Sequence, residues 1–240
     1  MSIYYSIIIP AYNEEALIEQ TLVALKIGMA QIALNGEIIV VDNNSDDRTA
    51  EIAKEQDAII VYEPINQISR ARNVGAQAAQ GKYLIFVDAD TIIPTELLRQ
   101  ALNNLMSGLI IGGGACISGD VPLKGLQKQL LKFWNWISVN TRNAAGSFIY
   151  CYRQDFMEVG GFSEDVYASE EIWLSGKLRK LGKQKNQPFC IIKEPPVITS
   201  MRKLQWHSPA SIYFYTFMLM LFPFIVRSKS LCMLWYRRPT

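Results

Sequence analysis

Short apolar runs alternate along the first half of the chain with stretches in which apolar residues recur every three or four positions. The runs predict strands over residues 7–9, 38–41, 58–62 and 83–87. The periodic stretches predict helices over 18–29 and 69–80, the second closed by Gly81. Two further helices are predicted, one that ends at about Lys54 with Ser45 or Asp46 as its N-cap, and one from Pro94 to about Leu105. Strands built from continuous runs of β-branched residues are typical of a parallel sheet that is covered on both faces. We therefore predict an α/β fold with a mostly parallel sheet flanked by helices.

The pattern is weaker after residue 108, but it still predicts several elements. Strands are expected over 109–117 and 148–152 and just before Thr199, an amphipathic helix over 123–139, and a helix over 170–181 that ends at Gly182. These elements would extend the same α/β domain.

Polar residues follow three of the predicted strands directly. They are Asn13 with Glu14, Asp42 with Asn44, and Asp88 with Asp90. In open α/β sheets, ligands bind beyond the carboxyl ends of the strands. We therefore expect the three clusters to meet at one edge of the sheet and to form a site there.

Asp88-Ala89-Asp90 is the sharpest of these clusters. Where a strand ends the chain turns, so both carboxylates can face one cation and the phosphates bound to it. Mg²⁺ or Mn²⁺ at this point can neutralise the negative charge that develops on a diphosphate leaving group. A solvated acidic turn is the alternative interpretation when the motif is considered alone.

Composition narrows the class of protein. The chain has 240 residues, of which 50% are hydrophobic, and it contains no linker-like segment, which is typical of one large domain with an appendage. A net charge of +2 gives no indication of a nucleic-acid partner. The four cysteines form no CxxC pair and there is one histidine, so a metal would require oxygen ligands.

Four motifs follow one another in a recognisable order. They are Ile7-Ile8-Ile9-Pro10-Ala11-Tyr12-Asn13-Glu14-Glu15, Val40-Val41-Asp42-Asn43-Asn44-Ser45-Asp46-Asp47-Arg48-Thr49, Ser69-Arg70-Ala71-Arg72-Asn73-Val74-Gly75-Ala76 and Val87-Asp88-Ala89-Asp90. This series resembles the family-2 glycosyltransferases, which have the Rossmann-like GT-A fold. The resemblance covers residues 3 to about 105 and continues, more thinly, to about 182.

The resemblance implies a role for each matching position. It implies that the nucleotide-sugar is bound by Pro10, Ala11, Tyr12, Glu14, Asp42, Asn44, Arg72, Asp88 and Ala89, and that the metal is held by Asp90 with Asp88. Carboxylates can accept hydrogen bonds from ribose hydroxyls, and a guanidinium suits a phosphate. The segment Thr199 to Lys203 resembles a Ser-x-Arg stretch of some family members, which implies that Arg202 reaches the diphosphate.

The catalytic base is less clearly marked. Inverting transfer requires a carboxylate that takes the proton of the acceptor hydroxyl. The family usually has Glu-Asp before a Leu-x-x-Arg-Leu helix, whereas this chain has Glu170-Glu171 before Leu174 and Lys177. Glu171 stands at the position of the aspartate, with Glu170 beside it. The alternative is that both glutamates only favour a helix N-terminus.

The resemblance implies that one sugar is transferred, with inversion and with help from a metal, from a nucleotide-diphosphate sugar to an acceptor hydroxyl. The acceptor would be lipid-linked or a saccharide, as in the synthesis of cell-envelope polysaccharide. The Gln-x-x-Arg-Trp signature of processive synthases is absent. A catalytically degenerate nucleotide-sugar-binding protein and a sugar-phosphate nucleotidylyltransferase are the alternatives.

The C-terminal part has a different character. We predict a catalytic domain over 1–206 and a hydrophobic, basic segment over 207–240. Nineteen uncharged residues separate His207 from Arg227, and no acidic residue follows Glu194. Such a segment suits peripheral contact with an anionic membrane, packing on the domain, or a homodimer interface. The N-terminus lacks the basic region of a signal peptide, so we expect a cytoplasmic protein at the cytoplasmic face of a membrane.

Overall fold

The computed structural model describes residues 2–202, 223–228 and 231–232. Within these residues, eight strands form one sheet. They are β1 (Tyr5–Ala11), β2 (Gly36–Asp42), β3 (Ile59–Tyr62), β4 (Tyr83–Val87), β5 (Thr91–Ile92), β6 (Gly112–Gly119), β7 (Phe148–Tyr152) and β8 (Phe189–Thr199). Their spatial order is β3-β2-β1-β4-β7-β6-β8-β5. The crossovers between β1, β2, β3 and β4 each contain a helix, as parallel pairing requires.

Helices cover both faces of the sheet. They are α1 (Ile18–Met29), α2 (Thr49–Glu55), α3 (Ile68–Ala78), α4 (Thr95–Met106), α5 (Gly125–Thr141), α6 (Arg153–Glu158) and α7 (Glu170–Lys185). A short 3-10 helix, Pro223–Arg227, follows in the C-terminal part.

Alternate residues of the central strands point into two separate cores. Ile7 and Ile9 of β1 pack with α1 and α4, whereas Ile8 packs with α3 and α7. Because both sides of the strand are covered, every residue of β1 is buried. This arrangement explains the uninterrupted apolar runs of the sequence and confirms the α/β prediction.

The sheet changes direction beyond β4. The pairs β1–β2, β1–β4, β2–β3 and β6–β8 are parallel, whereas β7 runs antiparallel to both of its neighbours, and β5 pairs antiparallel with β8. The described part of the sheet is therefore mostly parallel, as predicted. The short strand β5 and helix α6 were not predicted.

Three predicted helix ends are wrong. Helix α2 begins at Thr49 and not after Ser45, because the Ser45 hydroxyl accepts a hydrogen bond from the Asn13 backbone instead of capping the helix. Helix α3 ends in extended backbone at Ala79, and Gly81 lies against the β1 backbone, where a Cβ would come within 2.6 Å of Ser6 N. Helix α7 continues past Gly182 to Lys185, because Asn186 adopts the left-handed conformation that closes it.

The described parts of the C-terminal segment contact the α/β domain. Val226 and Cys232 are buried in one small cluster with Val166 and Ala168, and Tyr167 N donates a hydrogen bond to Val226 O at 2.6 Å. The remainder of the predicted 207–240 segment lies outside the described residues. Within the residues described, no helix has the length and apolar character needed to cross a membrane.

Candidate active site

The carboxyl ends of β1, β2 and β4 lie side by side at one edge of the sheet. Ala11, the last residue of β1, pairs with Asp42, the last residue of β2, and β4 is the other neighbour of β1. The residues after β1 and after β4 meet at this edge, because Arg202 donates to the Glu14 carboxylate at 2.5 Å and to Asp90 Oδ2 at 3.0 Å. Two of the three predicted polar clusters therefore meet at one guanidinium.

The cluster after β2 is shaped by local hydrogen bonds. The Asp42 carboxylate is buried and accepts from Ser45 N at 2.9 Å, which folds the chain back on itself. Asn44 has a φ of 67° and accepts from the Tyr62 hydroxyl at 2.7 Å. Asn13 also has positive φ, at 51°, and its side chain both donates to and accepts from Asp46. The turns after β1 and β2 thus hold each other in place.

The other predicted nucleotide-binding residues lie at the ends of β1 and β4, at the same edge of the sheet. Pro10 and Ala11 are buried within β1, and Tyr12 follows them half-buried. Ala89 is buried between the two aspartates, and its carbonyl accepts from the Thr21 hydroxyl of α1 at 2.8 Å. This bond fixes the turn that carries Asp88 and Asp90.

Arg72 of α3 is buried beneath this edge, with 1% of its surface exposed. Its guanidinium donates to Asp88 Oδ1 at 2.7 Å, to Glu170 Oε1 at 2.5 Å and to Gly146 O at 2.9 Å. The group is thus engaged by two carboxylates and does not face outward as a phosphate ligand would. It ties the end of β4 to the start of α7.

The rest of the Arg-Asn-x-Gly motif has structural partners that the sequence analysis did not identify. Asn73 donates to Phe162 O and accepts from Phe162 N, both at 3.0 Å. Gly75 lies so close to the sheet that a Cβ would come within 2.5 Å of Ile8 Cγ2. The motif therefore seats α3 on the sheet and anchors the loop that leads to α7.

That loop, residues 162–169, is held from several sides. Gln67 Nε2 donates to Glu164 O at 2.7 Å and to Val166 O at 3.0 Å, and Arg70 forms an ion pair with Glu164 at 2.8 Å. Gln67 and Arg70 stand just before and within the first turn of α3, and the apolar pattern of the sequence does not mark them as partners of this loop. The loop ends at Ser169, whose φ of 61° turns the chain into α7.

The two glutamates at the start of α7 differ in their surroundings. Glu170 is buried and paired with Arg72, whereas Glu171 is half-buried beside Gly146, where an added Cβ would lie 3.8 Å from its carboxyl carbon. Burial raises the pKa of Glu171 to about 8, and the neighbouring Glu170 charge acts in the same direction. Glu171 is thus a carboxyl group of raised basicity at the start of α7.

The carboxylates of Glu14 and Asp90 are placed so that one cation can lie between them. Carboxylates from the ends of two strands lie within 3.0 Å of one nitrogen of Arg202, so a single positive charge already occupies the space between them. Among the described residues, no three His, Cys, Asp or Glu side chains are grouped closely enough to hold a metal alone. Mg²⁺ is commonly held by one or two carboxylates together with substrate phosphates, which is the ligand set that this edge could complete.

The sequence matches one protein family over more than half of the chain. The family model described as glycosyl transferase family 2 matches residues 6–162. An uncharacterised glycosyltransferase of Bacillus subtilis, YkcC, is 36% identical over 112 residues, which are 44% of this chain and 35% of that protein. The chain spans less than half the length of the first curated relatives that it matches.

Solved structures share the fold at low sequence identity. A mannosyltransferase from Pyrobaculum calidifontis, PcManGT, in complex with GDP-Man and Mn²⁺, has a TM-score of 0.66 at 20% identity, covering 95% of this chain and 63% of that one. S. aureus TarS 1–349 in complex with UDP-GlcNAc has a TM-score of 0.63 at 20% identity, covering 95% of this chain and 68% of that one. These likenesses support the GT-A fold.

Proposed function

Because the chain belongs to glycosyl transferase family 2, we propose that it transfers one hexose from a nucleotide-diphosphate sugar to an acceptor hydroxyl, with inversion. The observation that carries this proposal is the convergence of Glu14 and Asp90, from the ends of two strands, on one positively charged group. Such a cluster suits the binding of a cation and a diphosphate at the carboxyl edge of a parallel sheet.

The donor would lie across the ends of β1, β2 and β4. Asp42 and Glu14 would accept hydrogen bonds from the nucleoside, and the backbone of residues 10–12 would border it. Asp90, with Asp88 beside it, would hold Mg²⁺ or Mn²⁺, which would neutralise the charge of the diphosphate leaving group. The structure of PcManGT, which shares this fold, contains GDP-Man and Mn²⁺, and this supports a donor and a metal of this class.

Two arginines have separate roles in this proposal. Arg72 would act as a positioning residue, because its guanidinium holds Asp88 and Glu170 from below. Arg202 would turn from Glu14 and Asp90 towards the diphosphate when the donor binds, since phosphate oxygens offer it an equivalent charged partner.

Glu171 is the proposed base. Its raised pKa makes its carboxylate a better proton acceptor than an exposed glutamate. The acceptor oxygen would form its bond to the anomeric carbon as the bond from that carbon to the diphosphate breaks, and the hydroxyl proton would pass to Glu171. Glu170, already paired with Arg72, would hold the start of α7 in place.

Donor binding and turnover can be tested with purified full-length protein. UDP-, GDP- and dTDP-sugars would be screened with and without Mn²⁺ for an increase in Tm and for nucleotide release. We expect one donor class to give both effects, and Asp90→Asn to remove the Mn²⁺-dependent part of each, because it removes a carboxylate charge from the cation position.

The matched control is Asp57→Asn, which alters an exposed aspartate paired with Lys26 away from the strand ends. This variant should behave as the wild type does. Full metal-dependent turnover in Asp90→Asn would contradict the site assignment. Donor stabilisation without nucleotide release, even with acceptors present, would indicate a binding protein and not a transferase.

The acceptor and location belong to the same proposal. We infer a lipid-linked or saccharide acceptor, as in cell-envelope polysaccharide synthesis, and a cytoplasmic protein that contacts the membrane or a second copy through 207–240. The support is the charge of the sequence, since no acidic residue follows Glu194.

A further inference from the structure

Arg202 lies across two parts of the candidate site at once. Its Nη2 donates to both oxygens of the Glu14 carboxylate at 2.5 Å and to Asp90 Oδ2 at 3.0 Å. Glu14 follows β1 and is a proposed nucleoside ligand, whereas Asp90 follows β4 and is a proposed metal ligand. One positively charged nitrogen therefore lies against both carboxylates, in the space that a bound cation would take.

These ion pairs are largely withdrawn from water. The side chains of Arg202, Glu14 and Asp90 are 16%, 9% and 11% exposed. Charges in such surroundings attract one another more strongly than in water and are screened little by salt. Breaking the pairs without replacing the partners would leave uncompensated charges, which is costly. Arg202 should therefore leave the two carboxylates only when another anion is available to it and another cation to them.

A metal ion and a diphosphate together supply both replacements. A divalent cation alone would compensate Glu14 and Asp90, but it would force the guanidinium away from them and beside a second positive charge. A diphosphate alone would attract Arg202 but would then face two carboxylates. When both are present, phosphate oxygens can accept from the guanidinium while the cation is held by carboxylate and phosphate oxygens. The exchange therefore favours joint binding.

The backbone beside Arg202 is held in place, so the exchange can proceed through the side chain. Ser200 N donates to Asp90 O at 3.1 Å, and Met201 N donates to Asp120 Oδ1 at 3.0 Å. An arginine side chain has many rotamers, so its guanidinium can be redirected from a fixed backbone. No change of fold is needed for Arg202 to turn from the carboxylates to a phosphate.

We propose that Arg202 occupies the cation position until the diphosphate of the donor binds, so that metal and donor bind cooperatively and the metal does not bind first. This inference rests on the proposed function and adds an order of binding to it. The alternative is a permanent role, in which the ion pairs only attach the segment after β8 to the strand ends. Loss of a permanent ion pair would lower the Tm, but it would not change the affinities for metal and diphosphate in opposite directions.

The test is titration calorimetry of the full-length protein with Mn²⁺, without a nucleotide. The wild type should bind weakly, because only the fraction of molecules in which Arg202 has moved away can accept the ion. Arg202→Gln should bind Mn²⁺ about tenfold more tightly. In saturating Mn²⁺, the same variant should bind UDP or GDP about tenfold more weakly, because a charged hydrogen bond to phosphate is lost.

Arg202→Lys is the conservative variant. A single nitrogen makes the contacts with both carboxylates, so one ammonium group can take its place, and Mn²⁺ binding should stay as weak as in the wild type. Arg48→Gln is the charge-matched control, since Arg48 follows β2 and pairs with Glu51 and Glu55. It should bind both ligands as the wild type does. The double variant Arg202→Gln/Asp90→Asn should lose the added Mn²⁺ affinity.

The outcomes separate this inference from the proposed function. Unchanged Mn²⁺ affinity in Arg202→Gln, or an equal increase in Arg48→Gln or Arg202→Lys, would overturn the order of binding even if the wild type transfers sugar. The expected changes in Mn²⁺ and nucleotide affinity without any turnover would overturn the transferase and support the exchange at Arg202. Added Mn²⁺ affinity that survives in Arg202→Gln/Asp90→Asn would place the ion elsewhere and overturn the proposal.

Discussion

At the scale of single residues, Arg72 is the centre of the candidate site. A buried guanidinium that bridges Asp88 and Glu170 satisfies two carboxylates that would otherwise be costly to bury. Its planar fork reaches Glu170 through one nitrogen and Asp88 and the Gly146 carbonyl through another, whereas a lysine has only one nitrogen to offer. The position of both acids depends on this one side chain.

The two glutamates of α7 should respond differently to loss of charge. We expect Glu171→Gln to abolish turnover while donor binding remains, and Glu170→Gln to lower the Tm, because Arg72 then loses a charged partner. Steady-state kinetics and donor titration of both variants would measure this. Turnover that survives in Glu171→Gln but is lost in Glu170→Gln would reverse the assignment of the base.

Because the pKa of Glu171 is raised, both kcat and the folding stability should depend on pH. A base must be deprotonated to act, so kcat should rise with pH through about 8 in the wild type. The folded protein keeps a proton on Glu171 that the unfolded chain releases near its ordinary pKa. Folding stability from this group is thus fully present at low pH and is lost as pH rises through about 8. Glu171→Gln should remove that part of the loss, which denaturation at several pH values would reveal.

Part of this candidate site could be predicted from the sequence, and the rest could not. Asp88, Asp90 and Glu14 stand out because each follows a strand, and strand ends meet at one edge of a parallel sheet. The contact of Arg202 with Glu14 spans 188 positions, and no local pattern predicts a contact of that separation. The inward orientation of Arg72 likewise depends on where α7 packs.

At the scale of elements, α3 connects the sheet to the site. Gly75 allows the helix to approach Ile8 and Val41 closely, and the helix then presents Arg72 and Asn73 to α7 and its preceding loop. Periodicity predicted α3 well, because one face is apolar. Its C-terminal end was predicted poorly, because Gly81 serves backbone packing and not a left-handed cap.

Substitution of two helical glycines should separate close packing from helix propensity. Gly75→Ala should destabilise the protein by about 1–3 kcal/mol, because its Cβ would lie 2.5 Å from Ile8 Cγ2 and force the helix away from the sheet. Gly28→Ala is the control, since its Cβ would meet nothing nearer than 3.5 Å. It should be neutral or stabilising by about 0.5–1 kcal/mol. Urea denaturation would compare them, and equal effects would contradict the packing argument.

At the scale of the whole molecule, distant parts of the chain hold the loop before α7. Gln67 of the α3 N-cap and Val226 near the C-terminus both contact residues 164–167. The apolar runs of the sequence predicted the strands of the sheet. They could not predict these contacts with the loop before α7, because the loop has no periodic pattern. The antiparallel direction of β7 also depends on tertiary pairing and not on its own five residues.

The C-terminal contact should influence turnover. Val226→Asp would place a charge against buried Val166 and Ala168, loosening the loop that leads to Glu170 and Glu171. We expect kcat to fall by on the order of tenfold with little change in donor affinity, because misplacement of a reacting group costs rate. Arg227→Asp, at the exposed neighbouring position, is the control and should leave kcat unchanged. A parallel loss of donor affinity in Val226→Asp would point to general unfolding instead.

The antiparallel pairing of β4 with β7 has a consequence for how such a chain can diverge. Val87 pairs with Phe148, so Asp88 and the Gly146 carbonyl are brought together by the register of two adjacent strands. In the long segment between them, β6 pairs with β7 and α4 hydrogen-bonds to Tyr150 and Tyr152, whereas helix α5 lies outside this ladder. Changes on the exposed side of α5 can therefore alter what the protein contacts without disturbing the surroundings of Arg72.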